Sequence, residues 1–276
     1  MIPENFGIRP DPSKDQHFLT DEDTIKSIVD LASPRSDDII FEVGAGIGTL
    51  TVPLSKTKAR IIAVEIDKKL GRVLEKAKRR NVDIIYDNVL KIIDNVKFNK
   101  IVSNTPYSIC EPLLNKLFNR KFDIAVMSVP SKFYDAISAN PEENRYSLMS
   151  LKYQSFFEIS FRFKIAKELF TPEPRTETIV MTLKPLTEKF YSKNFKKYVL
   201  REIILQKKKK VKNSLTEAII NYNKKILGND FTKKMGKEII EKMKVSEKIL
   251  TKKSEELTLN DFEIILKKLH ASHKGF

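Results

Sequence analysis

The sequence predicts an α/β fold: an open, mostly parallel sheet flanked by helices, followed by a smaller, all-helical C-terminal domain. Three observations carry this. Over residues 38–128, short β-branched runs alternate with helix-like stretches, the pattern that builds a parallel sheet. Glycine-rich and polar signatures stand at the ends of those runs rather than inside them. Beyond residue 186 only helical periodicity remains. A chain of 276 residues with 41 % apolar content can bury a substantial core and suits one large domain or one plus a small one.

Residues 1–20 read as irregular and end in Asp15-Gln16-His17-Phe18-Leu19-Thr20. Thr20 is placed to cap a helix, with Asp21, Glu22 and Asp23 at its positive end and Ile25, Ile28, Val29 and Leu31 on its apolar face. Strands are expected at Asp38–Val43, Arg60–Asp67, Val82–Tyr86, Lys100–Ser103 and Phe122–Ser128, because each is a β-branched or aromatic run bounded by turn residues. Helices are expected from Thr49 and over 68–80, 111–119, 131–139 and 146–154, with a turn at Asn140–Asn144. Glu158–Ile165 alternates as a strand, Phe170–Arg175 is a stiff loop set by Pro172 and Pro174, and Thr178–Leu183 is the last strand. Helical periodicity then covers 195–206, 211–227, 231–243 and 258–270. The expected domains are 1–185 and 186–276, and no internal repeat is found.

Net charge is +15 with pI about 9.6. From Thr187 onward there are 23 Lys/Arg against 11 Asp/Glu, so most of the excess lies in the last third. Such a surface concentrates polyanions and binds phosphates by counterion release. No apolar run is long enough to cross a membrane. Met1–Asn5 lacks the basic and apolar parts of a signal peptide. The lone Cys110 excludes an internal disulfide framework and a cysteine zinc cluster. Three histidines, His17, His270 and His273, give little material for a metal site, so no metal is expected. Together these features suit the cytoplasm.

The chemistry sits at the strand ends, where ligands bind in open parallel sheets. The first strand runs into Glu42-Val43-Gly44-Ala45-Gly46-Ile47-Gly48. Glycines such as Gly44 and Gly46 let backbone approach a ligand closely. A dinucleotide GxGxxG would need glycine where Thr49 stands; E-x-G-x-G-x-G is instead typical of S-adenosylmethionine (SAM) enzymes with a Rossmann-like domain. Glu65, at the next strand end, can accept both ribose hydroxyls of a nucleoside. Asp87 and Asn88, at the third, can bind an adenine amine. The fourth strand ends in Asn104-Thr105-Pro106-Tyr107. Pro106 fixes its own φ and biases Thr105 towards extended backbone, so the turn is stiff. It can present an amide and an aromatic ring to one flat base. The lone pair of adenine N6 is delocalised into the ring. The Asn104 side-chain oxygen and the Thr105 carbonyl can accept its two hydrogens and favour a pyramidal amine, while Tyr107 stacks on the base. Positioning and desolvation, worth roughly 7–11 kcal/mol at best, would supply most of the rate. The base must be single-stranded or flipped out.

Asp-Gln-His-Phe-Leu (15–19), Glu-Val-Gly-Ala-Gly-Ile-Gly-Thr-Leu-Thr (42–51), Val-Glu-Ile-Asp (64–67), Asn-Thr-Pro-Tyr (104–107) and Phe-Thr-Pro-Glu-Pro-Arg (170–175) stand in one order. Over nearly its whole length the chain thus resembles the ribosomal RNA adenine N6-dimethyltransferases of the KsgA type, nearer their archaeal and eukaryotic branch. The resemblance implies a SAM-dependent methyltransferase domain and a basic helical RNA-binding domain. It implies SAM contacts at His17, Leu19, Gly44, Glu65, Asp87 and Asn104, and target-base contacts at Asn104, Tyr107 and Phe170. The implied product is two adjacent N6,N6-dimethyladenosines near the 3′ end of small-subunit rRNA. The implied partner is small-subunit rRNA or its precursor particle, with the enzyme a monomer.

The chain departs from the family at several positions. His17 replaces an asparagine, Asn88 an alanine and Thr105 a leucine or isoleucine. Tyr146-Ser147-Leu148-Met149-Ser150-Leu151 lacks an arginine found in the family's Y-G-R-L-S-V segment, and after Arg175, where the family often has lysine or arginine, Thr176-Glu177-Thr178 stands in place of V-D-S. Phosphate contacts are expected from Arg201, Lys207, Lys208, Lys209, Lys210 and Lys212. A large-subunit rRNA adenine methyltransferase of the antibiotic-resistance type shares the strand-end motifs. The F-x-P-x-P loop and lysine-rich helical domain fit it less well. A non-catalytic assembly or transcription factor on the same fold would be expected to have lost the intact Asn-x-Pro-Tyr set.

Overall fold

The computed structural model describes residues 6–187 and 192–273; Met1–Asn5, read above for a signal peptide, lies outside them, as do the side chains of His270 and His273. The chain divides into two compact units. The first comprises Met1–Ser138 and Glu158–Pro185; the second comprises Ala139–Phe157 and Leu186–Phe276. The helix Leu148–Gln154 therefore groups with the C-terminal helices, a grouping that no contiguous boundary could express.

Among the described residues the first unit is built on nine strands: β1 Phe18–Leu19, β2 Ile39–Val43, β3 Arg60–Glu65, β4 Val82–Tyr86, β5 Lys100–Asn104, β6 Ile124–Pro130, β7 Phe157–Ile165, β8 Phe170–Thr171 and β9 Thr178–Pro185. Seven form one sheet in the order β4-β3-β2-β5-β6-β9-β7. Pairings β4-β3, β3-β2, β2-β5 and β5-β6 are parallel, and β9 runs antiparallel to β6. The α/β, mostly parallel architecture is as the alternating pattern predicts. β1 and β8 form a separate antiparallel ribbon, Leu19 opposite Phe170. The sheet's core is aliphatic: Ile40, Ile61, Ala63, Val102, Val126 and Val180 all belong to one buried cluster with Ile28 and Val29 of the helix Glu22–Ala32. That helix is capped by Asp21, which accepts from Thr24 N–H at 2.8 Å. Thr20 does not cap it; its hydroxyl donates to the Leu169 carbonyl, and its N–H bonds the same oxygen.

The stretch 68–80 is a chain of short turns, Lys68–Leu70, Gly71–Leu74 and Glu75–Ala77, rather than one helix. At the N-terminal end of the sheet Lys100 and Asp38 form a buried ion pair of 2.7 Å. Asp38 also accepts from Asn99 Nδ2 and Arg35 N–H. Burial works against the ionised carboxyl, but these bonds together hold its pKa below the ordinary value.

The second unit is helical: Leu148–Gln154, Phe195–Leu205, Val211–Asn221, Lys233–Met243, Glu247–Leu250 and Leu259–His273. The segment read as one helix over 211–227 changes to a π-helical turn at Tyr222–Ile226, where Phe195 and Tyr198 pack on the Tyr222 ring. Among the described residues no helix is long and apolar enough to cross a membrane.

Candidate active site

The C-terminal ends of β2, β3, β4 and β5 surround a cavity of about 480 Å³. Gly44 and Gly46 line it with φ of +71° and +58°, a region that side chains rarely adopt. Space forbids a side chain as well. A Cβ on Gly44 would meet Pro106 Cδ at 3.1 Å, and one on Gly46 would meet Phe18 at 2.9 Å.

Opposite the glycines, Glu65 Oε2 accepts from Gly46 N–H at 2.8 Å and Oε1 from Asp67 N–H at 2.7 Å. Burial raises its pKa, against the pull of these N–H donors. The Ile66 N–H adds to that pull. Glu42, only 1 % exposed, also lines the cavity, and its Oε2 has no hydrogen-bond partner. Burial, opposed by the Thr51 hydroxyl and aided by the nearby Glu65 charge, pushes its pKa up to about 8. Asp87 accepts from Asn88 N–H. Asn88 caps the helix Val89–Ile92, its Oδ1 accepting from Leu90 N–H at 2.9 Å. That leaves the second oxygen of Asp87 as the acceptor this strand end offers.

Asn104 is held from both sides. Its Nδ2 donates to the His17 carbonyl at 2.9 Å, and its Oδ1 accepts from the Ser128 hydroxyl at 2.6 Å. The amide's orientation follows, because a carbonyl can only accept, and Oδ1 retains one lone pair. His17 Nδ1 lies 2.8 Å from the Pro172 carbonyl, which can only accept, so that nitrogen is the donor. The His17 ring stacks on Tyr107 with centroids 6.0 Å apart. Tyr107 is half-buried, with its hydroxyl hydrogen-bonded to Thr178; burial raises its pKa despite that bond. The Thr105 hydroxyl is buried without a partner.

The segment before β1 crosses the same region. Lys14 Nζ and Gln16 Nε2 both donate to Asp67 Oδ2, at 2.9 and 3.0 Å, and Asp15 accepts from Ser108 N–H at 2.8 Å. Among the described residues no group of three or more His, Cys, Asp or Glu could hold a metal.

The model of the ribosomal RNA adenine dimethylase family matches residues 10–266. The chain belongs to this family. The resemblance read from the motifs is thereby borne out. This dimethylase-family chain is 34 % identical, over 77 % of its length and 82 % of the relative's, to the ribosomal RNA small subunit methyltransferase A of Thermotoga neapolitana. It is 32 % identical, over 86 % of both chains, to a Methanothermobacter thermautotrophicus protein named "probable ribosomal RNA small subunit methyltransferase A". Among solved structures, a dimethyladenosine transferase of Plasmodium falciparum matches with TM-score 0.62 at 23 % identity, covering 93 % of this chain and 98 % of that one. The 23S rRNA methyltransferase ErmE matches with TM-score 0.57 at 18 % identity, covering 92 % and 99 %. Both likenesses speak to the fold.

Within this dimethylase-family fold, His17, Gly44, Gly46, Glu65, Asp87, Asn88, Asn104 and Pro106 meet around one cavity. Leu19, Tyr107 and Phe170 do not line it. Leu19 is fully buried and Phe170 is 3 % exposed; both pack in the sheet's core cluster. Successive residues of a strand face opposite ways, so Phe18 takes the cavity side and Leu19 the core side. The phosphate-contact set also divides. Arg201 donates to the Ser155 carbonyl at 2.9 Å and stacks on Phe156 at 4.3 Å, which makes it a packing residue of the helical unit. Lys209 is paired with Glu217 at 2.7 Å, and Lys212 lies 3.9 Å from Glu247. Lys207, Lys208 and Lys210 are exposed and have no ion pair among the described residues.

Ser128, Thr178, Asp67 and Lys14 were not read from the sequence as site residues. Ser128 is one serine inside the apolar run Ala125-Val126-Met127-Ser128-Val129, a pattern that does not reveal its partner.

Proposed function

We propose that this chain is a SAM-dependent enzyme that dimethylates N6 of two adjacent adenosines near the 3′ end of small-subunit rRNA during ribosome assembly, working as a cytoplasmic monomer. The observation that carries it is the doubly held Asn104 amide on the wall of a cavity that also presents Glu65 and Asp87. The small-subunit assignment draws on the names of the relatives above.

The cavity suits a nucleoside–amino acid cofactor. Its volume lies in the range of small-molecule sites. A Cβ at Gly46 would fill space against Phe18. Glu65 lines it as the acceptor for ribose hydroxyls. Asp87 is placed for the adenine amine, and Ile66 and Leu70 supply apolar wall. Bound there, SAM would supply an electrophilic methyl group. The chain's own part is to orient the acceptor. Asn104 Oδ1, with its amide turned by Ser128 and His17, accepts one N6 hydrogen of the target base. The Thr105 carbonyl is the second acceptor. The turn at Pro106 sets the spacing of the two. Tyr107, braced by Thr178, supplies a ring beside that position. Phe170, in the core, supports the ribbon that carries His17. The first unit is read as the cofactor-binding domain and the second as an RNA-binding domain, with Lys207, Lys208 and Lys210 as phosphate contacts.

The test is transfer of tritiated methyl from SAM to small and large ribosomal particles of a strain lacking the modification, followed by nucleoside analysis. N6,N6-dimethyladenosine in the small particle alone is the expected result. Label in the large particle alone, or in neither, overturns the reading.

A further inference from the structure

We propose that the N-terminal edge of the sheet at β3 and β4, opposite the cavity, is a second contact surface for the phosphate backbone of the RNA substrate. The proposal rests on the reading of the chain as an rRNA enzyme. Two loops meet at this edge. Residues 56–60 carry Lys56, Lys58 and Arg60; residues 78–80 carry Lys78, Arg79 and Arg80; all six are exposed. Asn81 ties the loops together, its Nδ2 donating to the Thr57 carbonyl at 3.1 Å and the Ala59 carbonyl at 2.8 Å. The cations are thus held side by side by a side-chain amide, not scattered by chance along a helix.

Their acidic neighbours pair with only two of the six. Arg60 is matched by Asp83 at 2.8 Å, and Lys78 reaches Glu75 at 3.7 Å. Arg79 turns one nitrogen back onto the Lys76 and Lys78 carbonyls, which fixes its guanidinium on the loop. Lys56, Lys58, Arg79 and Arg80 have no acidic partner among the described residues. Arg60, Arg80, Asn81 and Asp83 line an open depression between the loops. Guanidinium and ammonium groups held this way suit phosphate oxygens. A protein partner would need apolar anchors, and none of the exposed large apolar side chains, Ile66, Phe161, Leu227 and Met235, lies on these loops.

Arg60 begins β3 and Glu65 ends it, so the edge and the cavity stand about 17 Å apart at ~3.3 Å per residue. A short target hairpin reaches one of them; a folded ribosomal RNA reaches both.

The experiment compares the full chain with a Lys56→Ala/Lys58→Ala/Arg80→Ala variant. Binding to naked small-subunit rRNA and to small-subunit particles is followed across a salt series, and SAM binding alongside. The slope of log K against log salt should flatten by about 0.7–0.9 per lost phosphate contact on both RNAs. SAM affinity, and methylation of a short hairpin carrying the target adenines, should stay unchanged. An unchanged slope on naked rRNA overturns the proposal. So does a loss seen only on particles, which points to an acidic ribosomal protein. A loss of SAM affinity would assign the effect to folding and equally overturn it. Binding is read without turnover. Failure of the wild-type chain to methylate small particles would therefore strike the functional reading, while the salt slopes still decide this one.

Discussion

In the proposed mechanism Asn104 carries the heaviest chemical load of any single residue. Asn104→Ala should abolish methyl transfer to small-subunit rRNA while the thermal transition stays near wild type; near-normal turnover would refute the acceptor mechanism. Ser128→Ala removes one hydrogen bond that orients the amide, a loss of about 1 kcal/mol. It should lower kcat severalfold at unchanged SAM affinity, whereas a purely structural serine would move stability alone. Glu42 makes a pH prediction. Its pKa, raised in the fold to about 8 from an ordinary carboxylate value, means the native state holds a proton that the unfolded state releases. Stability therefore falls as pH rises through that window, and the loss is complete above the folded value. Glu42→Gln cannot ionise, so its melting temperature should fall less than wild type's between pH 5 and 9. Parallel profiles would mean that Glu42 is not the titrating group. Glu65, Asp87 and Asn104 were legible in the sequence because each closes a local strand signature. Ser128 and Thr178 were not: Ser128 meets Asn104 only through the β5–β6 register, and Thr178 meets Tyr107 through the fold. Leu19 and Phe170 rest on the family resemblance alone, which carries no information on side-chain facing within two-residue strands.

At the scale of elements, burial is easier to read than hydrogen bonding. Leu70, Val73, Leu74 and Ala77 are all buried, as the helical spacing over 68–80 predicts. Yet the backbone there passes through single turns, and Gly71 lets the Tyr86 hydroxyl approach to where a Cβ would stand 3.1 Å away. Periodicity records which side faces the core and not whether a carbonyl is bonded three or four residues on. The Lys100–Asp38 pair was likewise hidden, since both residues look like ordinary strand-edge charges. Lys100→Met should destabilise the fold by roughly 3–5 kcal/mol, because Asp38 would remain buried and unpaired; chemical denaturation measures it. Asp38 has a depressed pKa, so its contribution is present above the ordinary aspartate value near 3.9 and is lost as pH falls through the lower, folded value. The acid transition should therefore shift upward in Asp38→Asn; an unmoved transition would mean that the pairing is absent from the native state.

Over the whole molecule, the +15 charge announces a polyanionic partner without saying which cations meet it. Arg201 and the lysine run looked alike in sequence, but aromatic stacking and an acidic neighbour on the adjoining helix separate them. Lys207→Ala/Lys208→Ala/Lys210→Ala should weaken rRNA binding and flatten its salt dependence at constant SAM affinity. Arg201→Ala should instead lower the melting temperature and leave the salt slope alone; the reverse pattern would exchange their roles. The unit boundary was half legible. Pro185 ends the last strand as the composition shift suggests, but Ala139–Phe157 leaves the sheet unit and returns. A linear reading has no signal for an excursion of that kind.

The hydrogen bond from Asn104 Nδ2 to the His17 carbonyl makes the acceptor amide a built-in reporter of the segment in front of it. Any displacement of residues 14–17 strips that amide of its carbonyl partner. The side-chain NH₂ resonances of selectively labelled Asn104 should therefore shift whenever the Lys14–Asp67 contact opens, and Lys14→Ala should move them in the free enzyme without any ligand. The amide proposed to align the base would then also serve as a spectroscopic gauge of how the entrance stands.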